Sequence, residues 1–410
     1  MSFCRFVASV LVTVCIYPAL FLVSTVTHFA QAVVPPGIDQ PLKLHLVHII
    51  FISLFPLGDI GKKLGLFSVF DVLRLVANGI PPFPDASLLI QNQQFDEVPV
   101  RVYQPKKTTT GKRKAFVFIH GGSGTFGSPD GYERLLRHIA KECGVVVVAV
   151  RYGLGPENPF PNQNAECLRA LLYFMRNVAD YHVDSSRIIV GGDSCGACFA
   201  TWVCQVLVDR KDLPKVHAQI LIYPALQGMD FNLPSYQQNS QVPMLFRQLV
   251  VHYICLYLSK NTSLVNDVLE GCHVPEHIRL KYQKWVNGDL IPEEFKVRGY
   301  KPQDPKICKF KPKVYEEMKQ VLETSFSPLF AEDAVIRKLP QTYILTCEFD
   351  VLRDDGLLYK KRLEDNGVSV KWVHLANGFH GVAFSFGYGI LSFPTADQIV
   401  NSVVEFVRSL

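Results

Sequence analysis

Arg187-Ile-Ile-Val-Gly-Gly-Asp-Ser-Cys-Gly-Ala-Cys-Phe-Ala200 is the stretch from which the rest of the chain can be read. The run Arg187 to Val190 reads as a strand buried on both faces, and the apolar pattern from Ala197 to Arg210 reads as a helix. Between them stands Gly192-Asp193-Ser194-Cys195-Gly196, a G-x-S-x-G. A serine at a strained strand-to-helix turn needs small neighbours for the backbones to approach, and the helix N-terminus favours developing negative charge. Ser194 is therefore the candidate nucleophile, with Gly192 and Gly196 as the glycines of its turn. Taken without that context, the same five residues also fit a glycine-rich turn with a capping serine.

Outward from this point, strands and helices alternate. Ala115–Ile119, Gly144–Val150, Ala218–Tyr223 and Thr342–Thr346 are further apolar or β-branched runs, and helical patterns lie at Tyr132–Glu142 and Ala165–Ala179. Alternation of this kind predicts an α/β fold, a mostly parallel sheet with helices on both faces. It breaks at about 228–325, where helical stretches (Met244–Leu258, Lys313–Glu323) and a Lys/Pro-rich loop (Lys296–Lys313) suggest a cap inserted over the sheet. Pro340–Cys347, Val368–Leu375 and a last helix, Thr395–Leu410, resume the pattern.

Two more segments carry chemistry. His120-Gly121-Gly122-Ser123-Gly124 follows the strand Ala115–Ile119. Consecutive glycines can present backbone N–H groups to an oxyanion, so Gly121 and Gly122 are candidate donors beside the N–H of Cys195; His120 is expected to order the loop rather than move protons. Near the C-terminus, Asp350 follows one strand and His380 another. A serine nucleophile needs a base, and the base a carboxylate to fix its tautomer; the order Ser194, Asp350, His380 meets both needs. Asp354, Asp355 and His374 are alternatives. Asp350 and His380 are preferred because both lie just past the carboxyl ends of strands, where the sites of open α/β sheets assemble.

Composition limits the remaining choices. The 410 residues are 48% hydrophobic and 19% charged, which excludes disorder as the main state. A net charge of +5, spread along the chain, gives no support for nucleic acid as a partner. Mean hydropathy is positive, at +0.15. Phe6 to Thr27 is uncharged and about as long as the roughly 20 residues a membrane helix requires, while Arg5 precedes it and the next cation is Lys43. The expectation is a signal-anchor at 6–27 with a cytosolic tail at 1–5; the alternative is a signal peptide cleaved near Ala30-Gln31-Ala32, leaving a secreted protein. Leu44–Leu57 is a shorter apolar run, read as a buried or membrane-surface helix. Residues 28–110 are taken as an N-terminal cap and lead-in, and 111–410 as the catalytic domain. Asn261-Thr262-Ser263 is a sequon, usable if the domain is lumenal. Nine cysteines outside the anchor leave room for a lumenal disulfide of unreadable pairing.

HGGSG (His120–Gly124), RYGLGPENPFP (Arg151–Pro161), GDSCGA from Gly192, SPLFAED (Ser327–Asp333), CEFDVLRDDG from Cys347 and the later GFHG together resemble the hormone-sensitive-lipase group of serine esterases, and within it the arylacetamide-deacetylase-like family. The resemblance implies an α/β-hydrolase fold capped by the N-terminal region and the insertion. It also implies an endoplasmic-reticulum anchor with a lumenal catalytic domain. The implied activity is a carboxylesterase or amide deacetylase without metal or cofactor, acting on apolar small molecules of lipid or xenobiotic type; a non-catalytic binding protein on the same fold is the alternative. Position by position, it places the nucleophile on Ser194, the acid on Asp350, the base on His380 and the oxyanion glycines on Gly121 and Gly122. Two positions depart from the family pattern: Ser123 replaces a third glycine, and Cys195 stands where alanine is usual.

Overall fold

The computed structural model describes residues 3–107, 109–258, 261–302 and 309–410. Part of the expected Lys/Pro-rich loop, including Cys308, and the first two residues of the expected tail lie outside them. Eight strands form one sheet: β1 (Leu88–Phe95), β2 (Val98–Pro105), β3 (Arg113–Ile119), β4 (Val146–Val150), β5 (Val183–Asp193), β6 (Ala218–Ile222), β7 (Gln341–Phe349) and β8 (Val370–Phe379). Their order is β1-β2-β4-β3-β5-β6-β7-β8, antiparallel at β1/β2 and β2/β4 and parallel elsewhere.

The inner strands are apolar throughout because both faces are covered. Val117, Ile119, Val148 and Val150 enter one core, while their chain neighbours Phe116, Phe118, Val147 and Ala149 enter the other. Parallel pairing then brings strand ends together, with Ile119 opposite Gly192, Asp193 opposite Ile222 and Ile222 opposite Leu345. The carboxyl ends of β3, β5 and β6 therefore share one edge.

The hairpin β1/β2 was not expected, and residues 88–105, read as lead-in, belong to the sheet. Gln91, Asn92 and Gln94 fill three of the four exposed positions of β1, and β2 interleaves Pro99 and Arg101 with its buried valines, so neither strand reads as an apolar run. Its turn is Asp96-Glu97, both with positive φ (48° and 66°), a two-residue hairpin lacking the glycine that usually marks one.

The insertion after β6 folds into short helices, among them Pro234–Gln238, Arg247–Leu258 and Pro312–Met318. Its Phe231, Val251, Cys255 and Met318 belong to the same apolar cluster as Val117 and Val190 of the sheet, so cap and sheet share a continuous core. At the N-terminus, the helix Phe3–Gln31 carries a long uncharged apolar stretch that is not buried against the rest of the protein. The helix Pro41–Lys63 extends the expected Leu44–Leu57 in both directions and is partly buried. Val69–Ala77 follows, begun by a capping box between Ser68 and Asp71. Cys143, Cys167, Cys195, Cys198, Cys204 and Cys347 are free thiols.

The segment joining the first two helices is fastened to the far end of the chain. Buried Asp39 accepts from the Thr395 N–H at 2.9 Å and the Thr395 hydroxyl at 2.6 Å, and its own N–H donates to the Asn377 carbonyl at 2.9 Å. Asp39→Ala should lower stability by about 2 kcal/mol in urea unfolding of the detergent-solubilised chain, because two buried donors lose their acceptor; Asp39→Asn, which keeps one acceptor, should lose less.

Candidate active site

Ser194 follows the last residue of β5 with φ 54° and ψ −125°, a region that residues other than glycine occupy only at a cost of about 1–3 kcal/mol. Two constraints hold it there. Its N–H donates to the Ile222 carbonyl at 2.9 Å, and the chain on either side passes so close to β3 that a Cβ on Gly192 or on Gly196 would lie 2.2 Å from the Ile119 carbonyl oxygen. The sharp turn leaves Ser194 partly exposed at the sheet edge while its neighbours Gly192, Asp193 and Gly196 are buried.

His380 directly follows β8 and Asp350 directly follows β7. His380 Nε2 lies 3.0 Å from Ser194 Oγ, and His380 Nδ1 lies 2.8 Å from Asp350 Oδ2. A carboxylate only accepts, so the imidazole proton sits on Nδ1 and the Nε2 lone pair faces the serine hydroxyl. Asp350 is fully buried; the Leu352 N–H donates to its Oδ1 at 2.8 Å, and the Asn239 amide, from the cap, donates to its carbonyl oxygen at 2.9 Å. The Tyr223 ring packs against the imidazole, 4.8 Å between centroids.

The alternatives are engaged elsewhere. Asp354 accepts from the Ser235 N–H and from Arg353, and Asp355 accepts from the N–H groups of Leu226 and Gln227. His374 is paired with Thr346 and Glu348.

The glycine loop requires one correction. The Gly121 N–H donates to Asp193 Oδ1 at 2.8 Å, so it is directed into the protein and is not free for an oxyanion. By contrast, the Gly122 N–H donates no hydrogen bond among the described residues, the Ser123 N–H meets only the Cys195 thiol, and both residues line the cavity beside Ser194. Cys195 opens the following helix, where the first N–H groups have no partner within the helix. Ser123 has φ 55°, so the position where it departs from the family pattern is one that favours glycine. His120 is buried, stacks on Tyr152 at 4.2 Å and lies with Nδ1 2.7 Å from the Gly121 carbonyl; burial lowers its pKa to about 4, as suits a neutral residue that orders the loop. Burial, then the charge of Asp193, push the Cys195 thiol up to about 12, which keeps it protonated beside the serine.

Asp193, to which the sequence reading gave no role, joins the turn at Ser194 to the glycine loop. Besides Gly121, it accepts from the Tyr132 hydroxyl at 2.9 Å. Nothing in the motif signals this, because Tyr132 comes from a different helix approach and the Gly121 bond depends on tertiary register.

Two cavities meet at Ser194. The larger, of about 280 Å³, lies under Val47, Ile50, Phe51 and Leu54 of the helix Pro41–Lys63 and Leu73 and Val76 of the next, with His380 and Gly122 on its floor. The smaller, of about 80 Å³, runs into the cap between Phe160, Cys198, Phe199, Val250, Tyr257 and Phe326. Ser123, Ser194, Leu245 and Tyr253 line both.

Burial raises the Asp193 carboxyl to about 6, against the opposing pull of the Tyr132 and Gly121 hydrogen bonds and the nearby His380. An acid raised in the folded state binds more protons there than in the unfolded chain. Its contribution to stability therefore falls as pH rises from about 4 to 6, by roughly 3 kcal/mol in all. The stability of wild type relative to Asp193→Asn, measured by urea unfolding between pH 4 and 6.5, should decline by that order and level off above pH 6.

Comparison with known proteins places these features in a family. Residues 116–270 and 300–384 match the family model described as alpha/beta hydrolase fold. Human arylacetamide deacetylase-like 4 is 39% identical over 391 residues, covering 95% of this chain and 96% of that protein. Bovine arylacetamide deacetylase is 35% identical over 380 residues, covering 90% and 94%. Among solved structures, the hyperthermophilic esterase from Pyrobaculum calidifontis superposes with a TM-score of 0.61 at 21% identity, covering 91% of this chain and 98% of the other, which shows the shared fold. Carboxyl esterase 2 from Tuber melanosporum superposes with a TM-score of 0.60 at 20% identity, covering 80% and 88%. The chain belongs to the arylacetamide deacetylase family, hydrolases of the α/β-hydrolase fold.

Proposed function

We propose that this chain is a serine carboxylesterase or deacetylase working through an acyl-enzyme on Ser194. The observation that carries the reading is the continuous hydrogen-bonded series Ser194 Oγ, His380 Nε2, His380 Nδ1, Asp350 Oδ2, at 3.0 and 2.8 Å. In the first step Ser194 Oγ attacks the carbonyl carbon and its proton passes to His380 Nε2, while Asp350 stabilises the imidazolium. The oxyanion is received by the N–H groups of Gly122, Ser123 and Cys195. As the intermediate collapses, Nε2 returns its proton to the departing alcohol or amine. Water, deprotonated by His380, then cleaves the acyl-serine, and the proton returns to Ser194. No metal or cofactor enters these steps.

The substrates are apolar esters or aryl amides, since both cavities are lined mainly by Val, Leu, Ile, Phe and Tyr side chains. The helix Phe3–Gln31 is a type II signal-anchor in the endoplasmic-reticulum membrane, with the catalytic domain in the lumen. Support comes from its length and uncharged interior and from Arg5 before it. The sequon at Asn261 lies at the surface of the cap, where Thr262 and Ser263 are exposed.

Ser194→Ala should abolish both p-nitrophenyl butyrate hydrolysis and labelling by a fluorophosphonate, with Tm unchanged; retained turnover would sink the assignment. A wild-type chain that resisted the label yet bound an apolar ester would instead indicate a binding protein. For the topology, expression in microsomes should give a product whose mass drops on endoglycosidase treatment, and Asn261→Gln should remove that shift. A wild-type product insensitive to the endoglycosidase would count against the lumenal placement.

A further inference from the structure

The entrance to the larger cavity has an unusual surface. Ile50 and Val76 line the cavity and are also 38% and 49% exposed, which places them at its mouth. Beyond Val76 the surface remains apolar through Leu75, Ile80 and Phe83, and Phe83 is 94% exposed. Ile390, 89% exposed, and Leu391 belong to the same region, because a Cβ on Gly79 would collide with the Tyr388 hydroxyl. The backbone carrying Ile80 and Phe83 is pinned to the helix beneath it. Arg134 donates to the Ile80 carbonyl and lies over the Tyr388 ring at 4.1 Å, and Arg137 donates to the Phe83 carbonyl at 2.6 Å. So many large apolar residues exposed together around one opening are unfavourable in water unless something covers them.

The N-terminal helices indicate what does. Phe3–Gln31 runs antiparallel along Pro41–Lys63: Arg5 donates to the Gly65 carbonyl, Ser53 Oγ donates to the Tyr17 hydroxyl at 3.0 Å, and His28 adjoins His45 at the other end. One side of Pro41–Lys63 thus carries the unburied apolar helix, and another side forms the wall of the cavity. The connection at Asp39 fastens this pair to the hydrolase core. A bilayer that receives Phe3–Gln31 therefore meets Pro41–Lys63 and the cavity mouth as well, so the domain does not hang clear on a tether.

We propose that the rim formed by Leu75, Val76, Ile80, Phe83, Ile390 and Leu391 docks on a lipid bilayer and that the cavity takes its substrate from the membrane, as an ester partitioned among the lipids. The substrate half rests on the hydrolytic reading above; the docking half does not. Large apolar side chains of this kind bury themselves at the boundary between headgroups and acyl chains.

The test uses the full chain in phosphatidylcholine vesicles. Phe83→Trp, read against the background of the three native tryptophans, should add fluorescence that acyl-brominated phosphatidylcholine quenches; absence of quenching overturns docking whether or not the protein is active. Phe83→Asp and Ile390→Asp, both at highly exposed positions outside the cavity, should keep p-nitrophenyl acetate turnover within about twofold while lowering hydrolysis of vesicle-dissolved p-nitrophenyl palmitate at least about fivefold. Equal effects on the two esters overturn the proposed route. If either Asp variant converts a dimer to a monomer in detergent, the rim is a subunit interface and the proposal fails. If Ser194→Ala retains activity, the hydrolytic reading fails while the quenching result still decides docking.

Discussion

The carbonyl oxygen of Ile119 occupies the space that a side chain on either Gly192 or Gly196 would need. This contact between the end of β3 and the turn after β5 requires glycine on both sides of Ser194, and it drives the serine into positive φ. Most of the site follows from it. Because β3 and β5 pair in parallel, the loop after β3 lies beside the turn after β5, and the loop backbone reaches the serine with no side chain between them. Parallel pairing across β6, β7 and β8 then delivers Asp350 and His380 to the same edge. The strained turn is sustained by two hydrophobic cores, one on each face of the sheet, rather than by anything local.

Asp193 shows how that arrangement is secured and at what energetic cost. A buried carboxylate with raised pKa destabilises the fold at neutral pH, yet its two oxygens hold Gly121 from the loop and Tyr132 from beyond it. The Gly121 hydrogen bond turns that peptide inward, and Gly122 and Ser123, which follow it, line the cavity beside Ser194. On the proposed reading, fixing the loop before substrate arrives means that no reorganisation is needed when charge develops, which is where such donors have their effect. The stability lost to a buried acid is thereby exchanged for a loop held in one position.

Much of this was legible in the sequence, for physical reasons. Strands covered on both faces must be apolar throughout, so β3 to β7 announce themselves, and a nucleophile elbow needs its glycines, so Ser194 is conspicuous. Asp350 and His380 were legible from their places after strands, and the structure separates them from Asp354, Asp355 and His374. The hairpin β1/β2 was illegible because an edge strand need not be apolar and because Asp96 and Glu97 adopt positive φ without glycine. The mistaken donor, Gly121, has a similar cause: which peptide of a glycine run points outward depends on what the inward one meets, and Asp193 lies 72 residues further along the chain.

The two departures from the family pattern turn out to be neighbours. The Cys195 thiol feels the backbone N–H groups of Ser123 and Gly124 and the Tyr152 hydroxyl, so the residue after the nucleophile and the residue replacing glycine are packed against each other. A serine at φ 55° costs about 1 kcal/mol more than glycine would, and a thiol beside it needs more room than a methyl group. Both residues also line the small cavity, where Ser123 forms part of the partition between the cavity in the cap and the one beneath the N-terminal helices. Each change narrows the space beside Ser194 and leaves the backbone N–H in place. On the proposed acyl-enzyme reading, their effect falls on which acyl groups fit beside Ser194 rather than on activation of the serine, because the hydrogen bonds from Ser194 to His380 and from His380 to Asp350 involve neither residue.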